Sequence, residues 1–177
     1  SKMAQALRTY MDDNRSKWRL REIVKVAGEP QGKERPRFNR RTGRVFTPKN
    51  TLAYEGKIKW LTAALLIEGP VQVEIWAIFK RPKRLMRRAD PEGLAFYEGR
   101  VDLDNVIKAV NDGLQGRAFK NDRQVTDIHS FARYAEKATP KQARTEILLY
   151  ELKPITSETD DEDMAPCTTG SNTCSSS

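Results

Sequence analysis

The sequence predicts an α/β chain of α+β character, a mixed β-sheet packed on helices. Three observations carry that expectation. "VQVEIWAIFK" (residues 71–80) alternates like a largely buried strand, and "RQVTDIHSFARYA" and "ARTEILLYEL" read as two closing strands. Between and before them, Tyr54, Ile58, Leu61 and Leu65, and then Val106, Ile107, Val110 and Leu114, recur at helical spacing. No internal repeat interrupts the order strand, hairpin, helix, strand, helix, strand, strand.

Taken along the chain, residues 1–20 are mixed and charged and read as an N-terminal extension, at most a short helix. "REIVKVAGEP" (21–30) reads as a first strand ending at Gly28 and Pro30. "RPRFNRRTGRVFTP" follows as a basic arm or hairpin about Thr42 and Gly43. Thr47 followed by Pro48 predicts a helix start, with Thr47 as cap, and Gly69-Pro70 predicts its end. Trp60 and Trp76 are expected in the core, and His129 is read as a sheet residue rather than a catalytic base. The basic stretch 81–101 lacks periodicity, and a loop of that length in a compact domain points to function or disorder. The second helix is expected to be ended by Gly113 and Gly116.

Composition narrows the function. The chain of 177 residues carries 32 Lys and Arg against 24 Asp and Glu, a net charge of +8. From Thr156 the character changes to a Ser/Thr-rich tail with five acids and no basic residue, which leaves 19 acids against 32 bases in 1–155, near +13. The expected organisation is therefore an extension (1–20), one domain (21–155) and a disordered acidic tail (156–177). The tail reads as a solvated extension, with folding back over the basic surface as the alternative. Such a body attracts polyanions. Both cysteines, Cys167 and Cys174, lie in the tail and His129 is the one histidine, which excludes a Cys/His zinc site. The longest uncharged apolar-rich run is "WLTAALLI", far short of a bilayer span, so a soluble intracellular protein is expected.

Against this basic background, "VDLDNVIKAVNDGLQGRAFKND" (101–122) gathers four aspartates. Asp102 and Asp104 are one residue apart before a helix, which in an extended segment turns both carboxylates to one side. Asp122 follows a helix and a short turn and is expected to stand beside them; three carboxylates would suit Mg²⁺ or Mn²⁺. Lys108, four residues past Asp104, is expected to lean toward the pair. A plainer reading also stands on spacing alone: Asp104 as helix cap, Asp112 paired with Lys108, Asn121-Asp122 as a turn, and the arginines of 35–44 as a solvated hairpin.

"DLDNVIKAVNDGLQGRAFKNDRQV" resembles the signature of the RusA family of Holliday-junction resolvases: Asp-x-Asp-Asn, a lysine three residues on, an aspartate four later, then an acidic turn followed by Gln. A looser similarity runs from about Glu29 to Leu152 and takes in "GKERPRFNRRTGRVFTPK". The turn here has Asn121 where the family often has a first acid. The resemblance implies a RusA-like fold and a cytoplasmic, bacterial or phage-encoded homodimer that nicks four-way DNA junctions symmetrically in recombination and repair. It further implies Asp102, Asp104 and Asp122 as metal-binding catalytic carboxylates for Mg²⁺ (or Mn²⁺), Lys108 as catalytic lysine, and Asn105, Asp112 and Gln124 in support. Arg35, Arg37, Arg40, Arg41 and Arg44, with Lys80, Arg81, Lys83 and Arg84 of the basic loop, are expected to hold flanking phosphates. The competing expectations are a metal nuclease for flaps or other branched DNA, and a non-catalytic basic nucleic-acid-binding module.

Overall fold

The computed structural model describes residues 1–155; the tail expectation lies outside the described residues. Helix α1 (Lys2–Ser16) buries no residue and leads into β1 (Trp18–Ala27). A small ribbon of β2 (Arg37–Asn39) and β3 (Arg44–Phe46) precedes α2 (Lys49–Leu61). Then come β4 (Val71–Phe79), β5 (Ala95–Phe96), α3 (Leu103–Leu114), β6 (Val125–Tyr134) and β7 (Arg144–Leu152). The main sheet has five strands in the order β1-β7-β4-β6-β5, with β4 and β6 parallel and the other pairs antiparallel. It is the mixed sheet on helices that the alternation and helical spacing predict.

The core lies between this sheet and α2 and α3. Val71, Val73, Ile75, Ala77 and Phe79 of β4 are all buried, as are Ile147 and Leu149 on β7 and Val106, Ala109, Val110 and Leu114 on α3. Their alternation and 3.6-residue spacing are what the two surfaces must present to each other. Tyr54 of α2 reaches across to Thr145 of β7, hydroxyl to hydroxyl at 2.6 Å, and burial pushes its phenol up to about 12.

Gly113 does not end α3; it lies inside the helix, where α2 crosses. A Cβ there would come within 2.8 Å of the Ile58 Cβ and 3.0 Å of the Glu55 carbonyl oxygen, so only glycine lets the two helices approach. Gly116, at φ +81, is the residue that turns the chain after the helix.

Three further expectations are corrected. Pro48, not Thr47, occupies the cap position of α2, without a side-chain hydrogen bond. The helix stops at Leu61, well before Gly69-Pro70, because the following segment is claimed by the stretch after α3: Leu66 N donates to the Arg117 carbonyl at 2.9 Å and Ile67 N to the Ala118 carbonyl at 2.8 Å. Trp60 is 82% exposed, since α2 turns Thr51, Tyr54 and Ile58 inward and a residue two past Ile58 lies round the other side. Trp76 is half-buried, stacked on Phe131 with centroids 4.3 Å apart on the sheet face away from α2 and α3. No helix among the described residues is long and apolar enough to cross a membrane.

Candidate active site

The chain is delivered to Asp102 by an aromatic platform. Tyr97 stacks on Phe79, the last residue of β4, at 3.9 Å and lies 5.1 Å from Tyr134, the last of β6. Its hydroxyl accepts from Val101 N at 3.2 Å. The start of α3 is thereby fixed over the ends of two parallel strands.

Asp102 is the cap residue of α3 in position but not in bonding, for its carboxylate makes no capping hydrogen bond and its carbonyl accepts from Asn105 N and Val106 N instead. A cap side chain left unspent forgoes about 1 kcal/mol of helix stability, which is what a carboxylate reserved for another partner looks like. Asp104 lies in the first turn, so the cap position expected there falls two residues earlier, at Asp102. Lys108 Nζ donates to Asp104 Oδ2 at 2.7 Å, and this pair, rather than Lys108 with Asp112, is the one that forms.

Asp102, Asp104, Asn105 and Lys108 form one wall of a cleft of ≈ 910 Å³. The opposite wall is the segment 31–37, with Arg100 and Val101 between. That segment is strapped to both helices. Lys33 N donates to the Asn105 carbonyl at 2.8 Å, Glu34 N to the Thr51 hydroxyl at 3.3 Å, and the Lys33 ammonium pairs with Asp112. Gly32 packs directly on the Asn105 side chain, 3.1 Å from where its own Cβ would be. Asp112 and Asn105 therefore tie the segment that forms the cleft's far wall to α3. The hydrogen bond from Lys33 to Asp112 holds the ammonium above the ordinary lysine range. Glu55, beside this pair, is pushed upward by burial, and one of its carboxylate oxygens is buried without a hydrogen-bond partner.

Asp122 is not brought to the pair. It begins a short 3-10 turn (Asp122–Gln124) after α3, pinned by the Gln124 amide donating to the Ile67 and Gly69 carbonyls at 2.7 and 3.0 Å. Gln124 also accepts from Asn121 N, and Asn121 from Arg123 N. Val125 then pairs with Val71, the start of β4, whereas Asp102 stands by its end. The length of α3, about 18 Å at 1.5 Å per residue, separates the two. A helix and a short turn place the third aspartate at the far end; only the length of β6 leads back. Consistently, no group of three or more His, Cys, Asp or Glu residues able to hold a metal occurs among the described residues. Within one chain the donors that fit a hard divalent cation are Asp102 and Asp104, both facing the cleft.

The expected phosphate-binding residues divide. Arg35 and Arg37 line the cleft, and Arg40, Arg41 and Arg44 stand exposed on the ribbon. Lys83 is exposed, while Lys80 and Arg84 pair with Glu29 and Glu98 at 3.8 and 3.5 Å. Arg81 departs from expectation: it is 6% exposed and its guanidinium is spent on the carbonyls of Leu85, Pro91, Gly93 and Ala135, which organise the loop between β4 and α3. Arg100, not singled out from sequence, lines the cleft and has no ion-pair partner among the described residues. Its place two residues before Asp102 was the available signal.

Two acidic side chains and a lysine thus stand together in an arginine-rimmed cleft. The family model for endodeoxyribonuclease RusA matches residues 27–149, and the chain belongs to that family. The family is one of Holliday-junction endonucleases, so the class is a DNA nuclease. The chain is also similar to the uncharacterized protein YqaN of Bacillus subtilis (strain 168), 26% identical over 138 residues that span 72% of this chain and 94% of that protein.

Proposed function

We propose that the protein is a divalent-metal-dependent endonuclease that resolves four-way DNA junctions as a homodimer by paired symmetric nicks. The observation that carries this is the uncapped Asp102 carboxylate beside Asp104 and Lys108 in a cleft walled by the arginine segment. Asp102 and Asp104 would hold Mg²⁺ or Mn²⁺, which when bound lowers the pKa of a coordinated water and offsets phosphorane charge. Arg35, Arg37 and Arg100 hold the backbone on either side of the scissile phosphate. Lys108 and Asp104 are 57% and 73% exposed in their side chains, and an exposed pair contributes only about 0–1 kcal/mol, so Nζ passes from Asp104 to an arriving phosphate at little cost. There it stabilises charge on the leaving oxygen.

Because Asp122 stands at the far end of α3, its participation requires the second subunit: Asp102 and Asp104 of one protomer would meet the partner's Asp122. A mixing experiment on a synthetic four-way junction tests this. Asp102→Asn and Asp122→Asn homodimers are expected to bind the junction without nicking it. Co-expressed as a doubly tagged heterodimer, the two changes fall in the same composite site and leave the other intact. Nicking of one strand is then expected. A silent heterodimer overturns the shared site, and a wild-type protein that nicks nothing with either metal overturns the nuclease reading.

A further inference from the structure

The β2–β3 ribbon forms a sheet of its own and pairs with no other strand. Phe38 and Val45 stand directly opposite each other in its register and are 62% and 66% exposed. Directly opposite residues lie on one face, and their neighbours in sequence turn to the other. The ribbon is thus two-faced, with Phe38 and Val45 on one side and Arg37, Asn39 and Arg44 on the other. Arg37 lines the cleft, so the cationic face is turned inward and the apolar face away.

An isolated two-stranded hairpin is marginal in water. This one is tied at its turn, where the Asn39 side chain accepts from Arg41 N and Thr42 N at 2.9 and 3.3 Å and Gly43 N donates to the Asn39 carbonyl at 2.9 Å, and at its base, where Arg37 pairs with Glu34 at 2.8 Å. Among the described residues nothing covers the Phe38–Val45 pair. The charge around it selects the occupant. Between residues 31 and 46 stand five arginines and Lys33 against one acid, Glu34.

We propose that Phe38, backed by Val45, is a stacking wedge that meets an open base face at the crossing of branched DNA. This rests on the nuclease reading and deepens it, assigning the source of its structural selectivity. The arginine face holds the strand that lies in the cleft. The apolar face meets whatever lies beyond the ribbon, which in branched DNA is the end of a neighbouring arm, with its last base pair open to stacking. Linear duplex offers such a face only at its two ends and none along its length. Apolar side chains inserted at base steps and aromatic rings stacked on bases are established means of holding distorted or unpaired DNA.

The test reads binding alone, with metal withheld by chelator, so failure to cleave and failure to wedge are separate results. A four-way junction carries 2-aminopurine either at the crossing or in mid-arm. Wild-type protein is expected to change the emission of the crossing probe and not of the mid-arm probe. Phe38→Ala and Phe38→Ile are expected to abolish that change and to lower the preference for junction over linear duplex about tenfold. Their affinity for the duplex should stay within about twofold, because the arginines remain. Phe38→Trp should restore the signal. The proposal is overturned by a wild-type crossing probe that does not respond, by Phe38→Ile retaining the full response, or by equal loss on junction and duplex. It is overturned equally if Phe38→Ala lowers the oligomeric state and leaves the signal intact, since the ribbon would then be a subunit contact.

Discussion

At the residue scale, the site turns on which side chains are left unspent. Asp102 occupies a cap position and does not cap, and Arg35 and Arg100 border it without ion-pair partners among the described residues, whereas Arg81 of equal charge is consumed by four carbonyls. Lys108 lies between these cases, held by an exposed carboxylate that a phosphate can outbid. Lys108→Ala should therefore lower the nicking rate by about 10²–10³-fold, as for loss of one charge-stabilising donor. Junction affinity should change little, since one phosphate contact among many carries a small share. Single-turnover cleavage beside equilibrium binding checks this, and equal losses would make Lys108 a binding residue only. The Lys108–Asp104 pair was legible because helical spacing fixes its direction, whereas α3 already starts at Leu103, so the extended spacing expected between Asp102 and Asp104 does not occur, although both line the cleft. Arg81 was not legible, because nothing in the string "FKRPKRL" distinguishes an arginine that turns inward to collect carbonyls from its exposed neighbours. Asp122 was misplaced for a topological reason: the sequence shows a turn after the helix but not at which end of the sheet that turn falls.

At the element scale, α2 and α3 do more than cover the sheet. Their close approach at Gly113 brings Glu55 beside Lys33 and Asp112, the strap that fixes the cleft's arginine wall. Burial raises the Glu55 carboxyl above its ordinary 4.5. A carboxyl raised in the folded state favours folding fully below its unfolded pKa, and that contribution is lost as pH rises through the folded value. Glu55→Gln removes the cost of an ionised carboxylate with one oxygen unsatisfied. The variant should therefore melt higher than wild type at neutral pH, and the gap should close as the pH falls toward 4.5, the ordinary glutamate value. Thermal melts at a series of pH values read this directly. A variant that melts lower throughout would show that Glu55 is needed, ionised, as a partner to Lys33. The strands and α3 were legible from periodicity, yet α2 was overextended and Trp60 misassigned. In both cases a tertiary contact decided: the backbone after Leu61 bonds to the segment 117–118, and the helix face is set by Tyr54 and Ile58 rather than by the largest apolar ring.

At the scale of the whole molecule, the charge near +13 on residues 1–155 makes DNA affinity a function of salt. Each phosphate neutralised releases counterions and contributes about −0.9 to the slope of log affinity against log salt on duplex DNA. If Arg40, Arg41 and Arg44 of the ribbon each hold a phosphate, the triple alanine variant should flatten that slope by roughly 3 and weaken linear duplex and junction alike. Arg81→Ala should leave the slope unaltered and lower the melting temperature instead, because its guanidinium is buried among carbonyls. Truncation after Ile155 removes five acids and no base. A tail that is only solvated leaves the salt series superimposable on full-length protein. A tail lying over the arginine wall gives instead a truncated form that binds more tightly at low salt, with the two curves converging once the Debye length falls below roughly 10 Å near 0.1 M. Superimposable curves are the expected result, since the five acids of the tail are few beside DNA, which presents one charge about every 1.7 Å to the same basic surface.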